Sequence, residues 1–192
     1  MLDSAGRRID DGDAGVEVAA LRAVQRAAGD GGAVVTAARS LSLVGEHAAG
    51  WLALGAVAGV ADPARRRRWV TATVAVAGAH GASIVLKRVV RRPRPHDPGV
   101  AVRVGTPSRL SFPSSHATST TAAAVLYGGL VGYPGLALGV GVPLTLAMAA
   151  SRLVLGVHYP TDVLAGSTLG AGCALVARSV IRRGTLGRWR TA

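Results

Sequence analysis

The sequence contains a single cysteine, Cys173, set in an apolar run, so neither a disulfide framework nor a cysteine metal site is available. Aromatic residues make up 4% and charged residues 17% of the 192 positions, against 49% hydrophobic, and mean hydropathy is +0.37. So little charge on so apolar a chain excludes an ordinary soluble domain and points to a membrane protein. Lysine is almost missing: Lys87 is the only one among 22 basic residues. Acids are also few, and beyond Glu46 only Asp62, Asp97 and Asp162 remain. The net charge of +12 by itself suggests nucleic acid, but the arginines cluster between long uncharged stretches rather than along one polar face. No nucleic-acid partner is therefore expected. Residues 1–15 have no apolar core, which excludes a secretory signal peptide.

What is present is a series of apolar runs. Residues 1–15 read as a disordered polar tail, 16–181 as one membrane domain and 182–192 as a basic tail. In 16–28, Val18, Leu21 and Val24 recur at helical spacing beside Glu17, Arg22 and Arg26, the pattern of a helix lying in the membrane interface. Residues 69–86 carry no Asp, Glu, Lys or Arg over 18 positions, long enough for one crossing. Residues 110–151 are free of those types over 42 positions, too long for one crossing, and break at the turn-forming Gly132-Tyr133-Pro134-Gly135. Residues 47–61 and 163–177, 15 uncharged positions each, are expected to span with help from polar flanks. The fold class expected is all-α, a polytopic bundle of about five spans plus the interfacial helix. Gly128/Gly132, Gly135/Gly139 and Gly166/Gly170 have the spacing that allows close helix approach.

The chemistry lies between the spans. Lys87 closes the strongest span, and Pro93 and Pro95 stop the helix near Arg92, leaving Arg94 on a stiff extended segment. Pro113-Ser114-Ser115-His116 suits a helix start, where free N–H groups and the helix dipole favour an anion. Arg152 closes a further run, and His158 precedes Pro160 and Asp162. With Pro160 as first helical residue, Asp162 is the third and folds back toward His158, fixing its tautomer and leaving the other ring nitrogen as nucleophile or base. Counting crossings puts all these helix ends on one membrane face. Two histidines, an aspartate and strong cations suit phosphoryl transfer, in which fixed cations hold the equatorial oxygens. With no acidic cluster beside them, no metal and no cofactor are expected. Arg88, Arg91, Arg92, Arg103 and Arg109 either meet a second phosphate or face anionic lipid headgroups. Arginine counts divide almost evenly between the two faces, so they do not assign the site to one.

Lys87 with Arg94-Pro95, then Pro113-Ser114-Ser115-His116, then Ser151-Arg152 with His158 and Asp162, resemble the three signature motifs of the type-2 phosphatidic-acid phosphatase superfamily, in order and in spacing. The resemblance implies a membrane helix bundle and a metal-independent phosphatase. It further implies that His158 attacks phosphorus, Asp162 orients His158, His116 protonates the leaving oxygen, and Lys87, Arg94, Arg152, Ser114 and Ser115 hold the phosphate. One departure is Ser115, where the family usually has glycine. Further runs, among them Glu46-His47 and residues 117–121 and 153–157, are similar to an actinobacterial branch of the family. That likeness implies a polyprenyl-linked sugar phosphate as substrate, in cell-wall arabinan synthesis, with membrane lipids as surroundings. The alternative is a generic lipid phosphatase acting on phosphatidic acid or undecaprenyl diphosphate. Two other classes fit less well: a vanadate haloperoxidase, normally large and soluble, and a non-catalytic basic membrane protein.

Overall fold

The computed structural model describes residues 11–132 and 137–187. Among them are seven α-helices: α1 (Asp11–Ala28), α2 (Ala33–Gly45), α3 (Ala49–Ala61), α4 (Arg66–Val90), α5 (Ser115–Val131), α6 (Val142–Val154) and α7 (Pro160–Gly187). Helix α1 begins before residue 16, where the polar tail was expected to end, and α7 passes residue 181, where the domain was; residues 1–10 and 188–192 lie outside the described residues. Residues 133–135 of the expected turn also lie outside them. Gly132 does close α5 in the left-handed conformation, φ 82°, which suits glycine.

Among the described residues, three stretches are long and apolar enough to cross a membrane: Ala33–Ala61, Pro63–Val90 and Pro160–Ile181. The first joins α2 to α3 across a break at Glu46–Ala48, where His47 and Ala48 take positive φ of 50° and 60°. The sequence reading began this span at residue 47; the apolar face of α2 extends it back to Ala33. Beside these three, among the described residues, stand α5 and the shorter apolar helix Leu138–Val154, the two helices onto which the remaining expected spans fall. Large apolar side chains such as Val57, Val74, Leu164 and Val176 point outward, as lipid contact requires.

Helix α5 is the central rod, with its residues 117–123 buried against neighbours. Small residues make that possible. A Cβ on Gly166 of α7 would lie 2.5 Å from the Ser114 carbonyl oxygen, and one on Gly170 would lie 2.2 Å from that of Thr118. The Gly166/Gly170 pair therefore sets the α5–α7 approach, whereas Gly132 and Gly139 have open space around them. On the other side, Trp51 Nε1 donates to Thr120 Oγ1 at 3.1 Å and Tyr127 Oη donates to the Trp51 carbonyl at 3.0 Å, joining α3 to α5. Helix α1 lies across the end of the bundle that carries residues 91–114. Leu21 is fully buried there, and the Gln25 amide donates to the Ala101 carbonyl at 2.7 Å and to that of Val154 at 3.1 Å.

Candidate active site

Each motif sits at a helix end because its sequence forces the end there. Helix α4 stops at Val90, ahead of Pro93, with Arg91 left-handed at φ 56°. Ser114 caps α5, its Oγ accepting the Ala117 N–H at 3.4 Å, so His116 falls in the first turn beside N–H groups that have no intrahelical acceptor. Pro160 opens α7, and the carboxylate of Asp162 folds back to accept the Tyr159 N–H at 2.8 Å. The Ser114 N–H donates to the Asp162 carbonyl at 2.9 Å, locking the second motif to the third.

The expected residues come together around one cavity of about 480 Å³, which His116, Arg152, His158, Lys87, Arg94 and Ser115 help to line. His158 is 2% exposed and Asp162 fully buried. His158 Nδ1 lies 3.5 Å from Asp162 Oδ2, at the edge of hydrogen-bond range and not aligned as a bond; such contacts often tighten only when substrate binds. Arg94 Nη1 lies 3.2 Å from His158 Nε2. A guanidinium only donates, so Nε2 presents a lone pair and the ring proton sits on Nδ1, toward Asp162. Burial, and then the Arg94, Arg152 and Lys87 cations, hold the His158 imidazole well below its ordinary value. It is therefore neutral and nucleophilic in form. Burial also brings the Arg94 guanidinium down, to about 10, against the pull of Asp162, which leaves it charged at neutral pH.

The remaining cations are held in different ways. Lys87 Nζ donates to the carbonyls of Leu110, Ser111 and Pro113 at 3.2, 2.9 and 2.9 Å, so its three N–H groups shape the loop before α5. Arg152 Nη1 donates to Ser42 Oγ, while its buried Nε has no hydrogen-bond partner among the described residues. His116 Nε2 lies 3.1 Å from the Ser42 carbonyl, which fixes the proton on that nitrogen. Ser114 is buried as a cap and does not line the cavity. Two arginines grouped with the surplus cations are engaged within the protein: Arg92 with Asp162 and Glu17, and Arg103 with Asp30.

Sequence reasoning missed Ser42 and Ser83. Ser42 serves both His116 and Arg152, and its only sequence signal is a hydroxyl within an apolar run. Ser83, one turn before Lys87 and fully buried, has its hydroxyl 2.8 Å from that of Ser115, giving that side chain a partner. Gly45 is needed beside them, since a Cβ there would come within 2.8 Å of the His116 ring. Among the described residues no group of three or more His, Cys, Asp or Glu is gathered to hold a metal ion.

The comparisons agree with this architecture. A solved phosphatase, described as the first transmembrane PAP2 type phosphatidylglycerolphosphate phosphatase from Bacillus subtilis, superposes with TM-score 0.73 at 23% identity, over 88% of this chain and 87% of that one. Aquifex aeolicus LpxE gives TM-score 0.68 at 16% identity, over 85% and 95% of the two chains. At these identities the likeness concerns the fold. Closer in sequence is the decaprenylphosphoryl-5-phosphoribose phosphatase of Mycolicibacterium smegmatis, 57% identical over 78% of this chain and 81% of the relative. The protein of that name from Mycobacterium tuberculosis is 49% identical over 85% and 90%. Residues 68–185 match the PAP2 superfamily and contain all three helix-end motifs, so this integral membrane protein belongs to the PAP2 superfamily.

Proposed function

We propose that the protein removes the terminal phosphate from decaprenylphosphoryl-5-phosphoribose, giving decaprenylphosphoryl ribose and inorganic phosphate. One observation carries the catalytic reading: the lone pair of His158 Nε2 faces Arg94 in the cavity while its proton side faces Asp162. The mycobacterial relatives of that name support the substrate. A phosphate entering between Arg94 and Arg152 displaces the Arg94 contact from Nε2, and the nitrogen attacks phosphorus in line with the sugar oxygen. The N–P bond forms as the P–O bond breaks. His116 enters this step with a proton on both ring nitrogens, a form the negative phosphate beside it favours, and gives the Nδ1 proton to the alkoxide while its Nε2 proton stays on the Ser42 carbonyl. Water then cleaves the phosphohistidine, with His116 accepting its proton. Asp162 steadies the positive charge on the ring, Arg94, Arg152 and the N–H groups at Ser115 and His116 bind the equatorial oxygens, and Lys87 and Ser114 hold the loop that presents them. The lipid tail stays in the bilayer, where its burial contributes on the order of 0.8 kcal/mol per CH₂.

The test is phosphate release by the purified protein, in excess EDTA, from this lipid, phosphatidic acid and undecaprenyl diphosphate. Full activity with EDTA, fastest turnover of the sugar phosphate and none in His158→Ala are expected. Faster turnover of either other lipid returns the assignment to a general lipid phosphatase, and loss of activity restored by Mg²⁺ removes the metal-free mechanism.

A further inference from the structure

Asp162 is fully buried, and a carboxylate so placed needs a cation and a fixed orientation to act on His158. The cation is Arg92, which stands between Lys87 and Arg94 of the first motif without being one of its signature residues. Its Nη1 donates to Asp162 Oδ1 at 2.9 Å and to Thr161 Oγ1 at 2.7 Å, and its guanidinium stacks 4.1 Å above the Tyr159 ring. The other nitrogen, Nη2, pairs with Glu17 of α1. Glu17 also accepts the Thr161 N–H at 3.1 Å and the Thr161 hydroxyl, so it sits at the N-terminus of α7, where the helix dipole favours a carboxylate. Burial would lower the Arg92 guanidinium, but the Glu17 and Asp162 carboxylates hold it above its ordinary value. Apart from the Arg92–Glu17 pair itself, every contact in this array ends on Tyr159, Thr161 or Asp162, the turn that follows His158 and carries the carboxylate facing its ring.

We propose that Glu17 and Arg92 are positioning residues for the nucleophile, forming with Asp162 one chain of alternating charge that ends on the His158 ring, and that the N-terminal helix α1 is thereby part of the catalytic apparatus. The physical need is specific. Arg92 without Glu17 is free to turn its fork wholly onto Asp162 or toward the bound phosphate, and either move draws the carboxylate off His158. With Glu17 in place the guanidinium is held on two sides and Asp162 keeps its second oxygen for the histidine. Glu17 lies outside the stretch 68–185 that matches the superfamily, so the brace comes from a part of the chain beyond the shared domain.

The inference rests on His158 being the nucleophile. The experiment measures kcat and KM on p-nitrophenyl phosphate, whose good leaving group bypasses His116, with inorganic phosphate inhibition as the probe of the anion site. Full-length Glu17→Gln, Arg92→Ala, Arg92→Lys and the Glu17→Gln/Arg92→Ala double variant are compared in detergent. Expected are losses in kcat of about 10-fold for Glu17→Gln and about 100-fold for Arg92→Ala, the range that outer-shell partners show. KM and the phosphate inhibition constant should stay within about 2-fold, because the losses are made only in the transition state. The double variant should be no slower than Arg92→Ala, as members of one chain are not additive. Guanidinium ion should restore part of the Arg92→Ala rate. Arg92→Lys, which keeps the charge without the fork, should lose kcat at unchanged thermal stability and so guards against a folding defect. Unchanged kcat in Glu17→Gln, losses that multiply in the double variant, or a rise in KM with kcat intact overturns the proposal. An active His158→Ala control would instead remove the nucleophile assignment beneath it.

Discussion

At the scale of single residues, the two histidines differ in what each fixed proton allows. His158 offers a lone pair at Nε2, while His116 has its Nε2 proton held by Ser42 and works through the other nitrogen. His116→Ala should therefore keep more activity on an aryl phosphate, whose leaving group needs no proton, than on the lipid substrate, whereas His158→Ala loses both. Equal losses on the two substrates in His116→Ala would remove that division of labour. His158 also makes a stability prediction. Burial and the surrounding cations keep it neutral in the folded protein, whereas the unfolded chain protonates it near an imidazole's usual pKa of about 6.5. Below that pH the unfolded state binds more protons, so this group's effect is to lower stability as the solution is acidified. The melting temperature should fall less between pH 6.5 and 5 in His158→Gln than in the parent, and parallel curves would contradict it. The gathering of the proposed catalytic residues was legible in the sequence because its logic is local: Asp162 reaches toward His158 from one turn away, and Pro113 and Pro160 announce their helix starts. Ser42, Ser83 and the Glu17–Arg92 pair were not, because each acts across elements far apart in the chain. The one trace of Glu17 was its being the only acid in residues 16–28.

At the scale of elements, the helices follow from hydropathy, but their packing follows from a few glycines. Three pairs had the spacing for close approach, and Gly166/Gly170 is the pair that meets neighbouring backbone, because it faces α5 while Gly132 and Gly139 face open space. Spacing alone does not say which face of a helix is covered. Gly170→Ala must push α7 away from α5, since backbone at 2.2 Å cannot yield as a flexible side chain does; Gly172, with nothing within 4 Å, has room for a methyl group. Overpacking of this kind costs about 1–3 kcal/mol, whereas replacing glycine in an open helix position gains a few tenths or more. Gly170→Ala should therefore melt several degrees below the parent and Gly172→Ala at or above it. Because the Ser114–Asp162 hydrogen bond crosses the same interface, activity of Gly170→Ala should fall with its stability. A Gly170→Ala protein as stable as Gly172→Ala would mean the two helices are not in this contact. The break at residues 46–48 was illegible for a related reason: nothing in Glu46-His47-Ala48 demands positive φ, and it is the docking of α2 on α6 and of Gly45 on His116 that holds it.

At the scale of the whole molecule, the helix bundle gathers the polar chemistry at one end and leaves a different set of contacts at the other. At the far end Asp62 caps the turn into α4, accepting the Arg65 N–H at 3.2 Å and the Trp69 indole at 3.1 Å, and Arg65 reaches the Leu130 carbonyl at the end of α5 at 2.7 Å. The Trp69 hydrogen bond and Arg65 lower the Asp62 carboxyl, as suits an aspartate serving as an ionised cap. Counting crossings along the sequence was enough to put the three motifs on one face. It could not place α1, which depends on Gln25 pairing with the Ala101 backbone and on the burial of Leu21. With α1 docked beside the site, Arg22 and Arg26 belong to the site face, so the basic residues there are partly engaged in holding that end together, Arg22 with Asp97 and Arg92 with Glu17. This arrangement makes a topological prediction. Ala64, exposed in the α3–α4 turn, and Val102, 59% exposed in the site loop, should react with a membrane-impermeant thiol reagent from opposite sides when each is changed to cysteine in a Cys173→Ala background. Labelling of both from the same side of sealed vesicles would mean that α4 does not cross, and the convergence of Lys87, His116, Arg152 and His158 at one membrane surface would have to be abandoned with it.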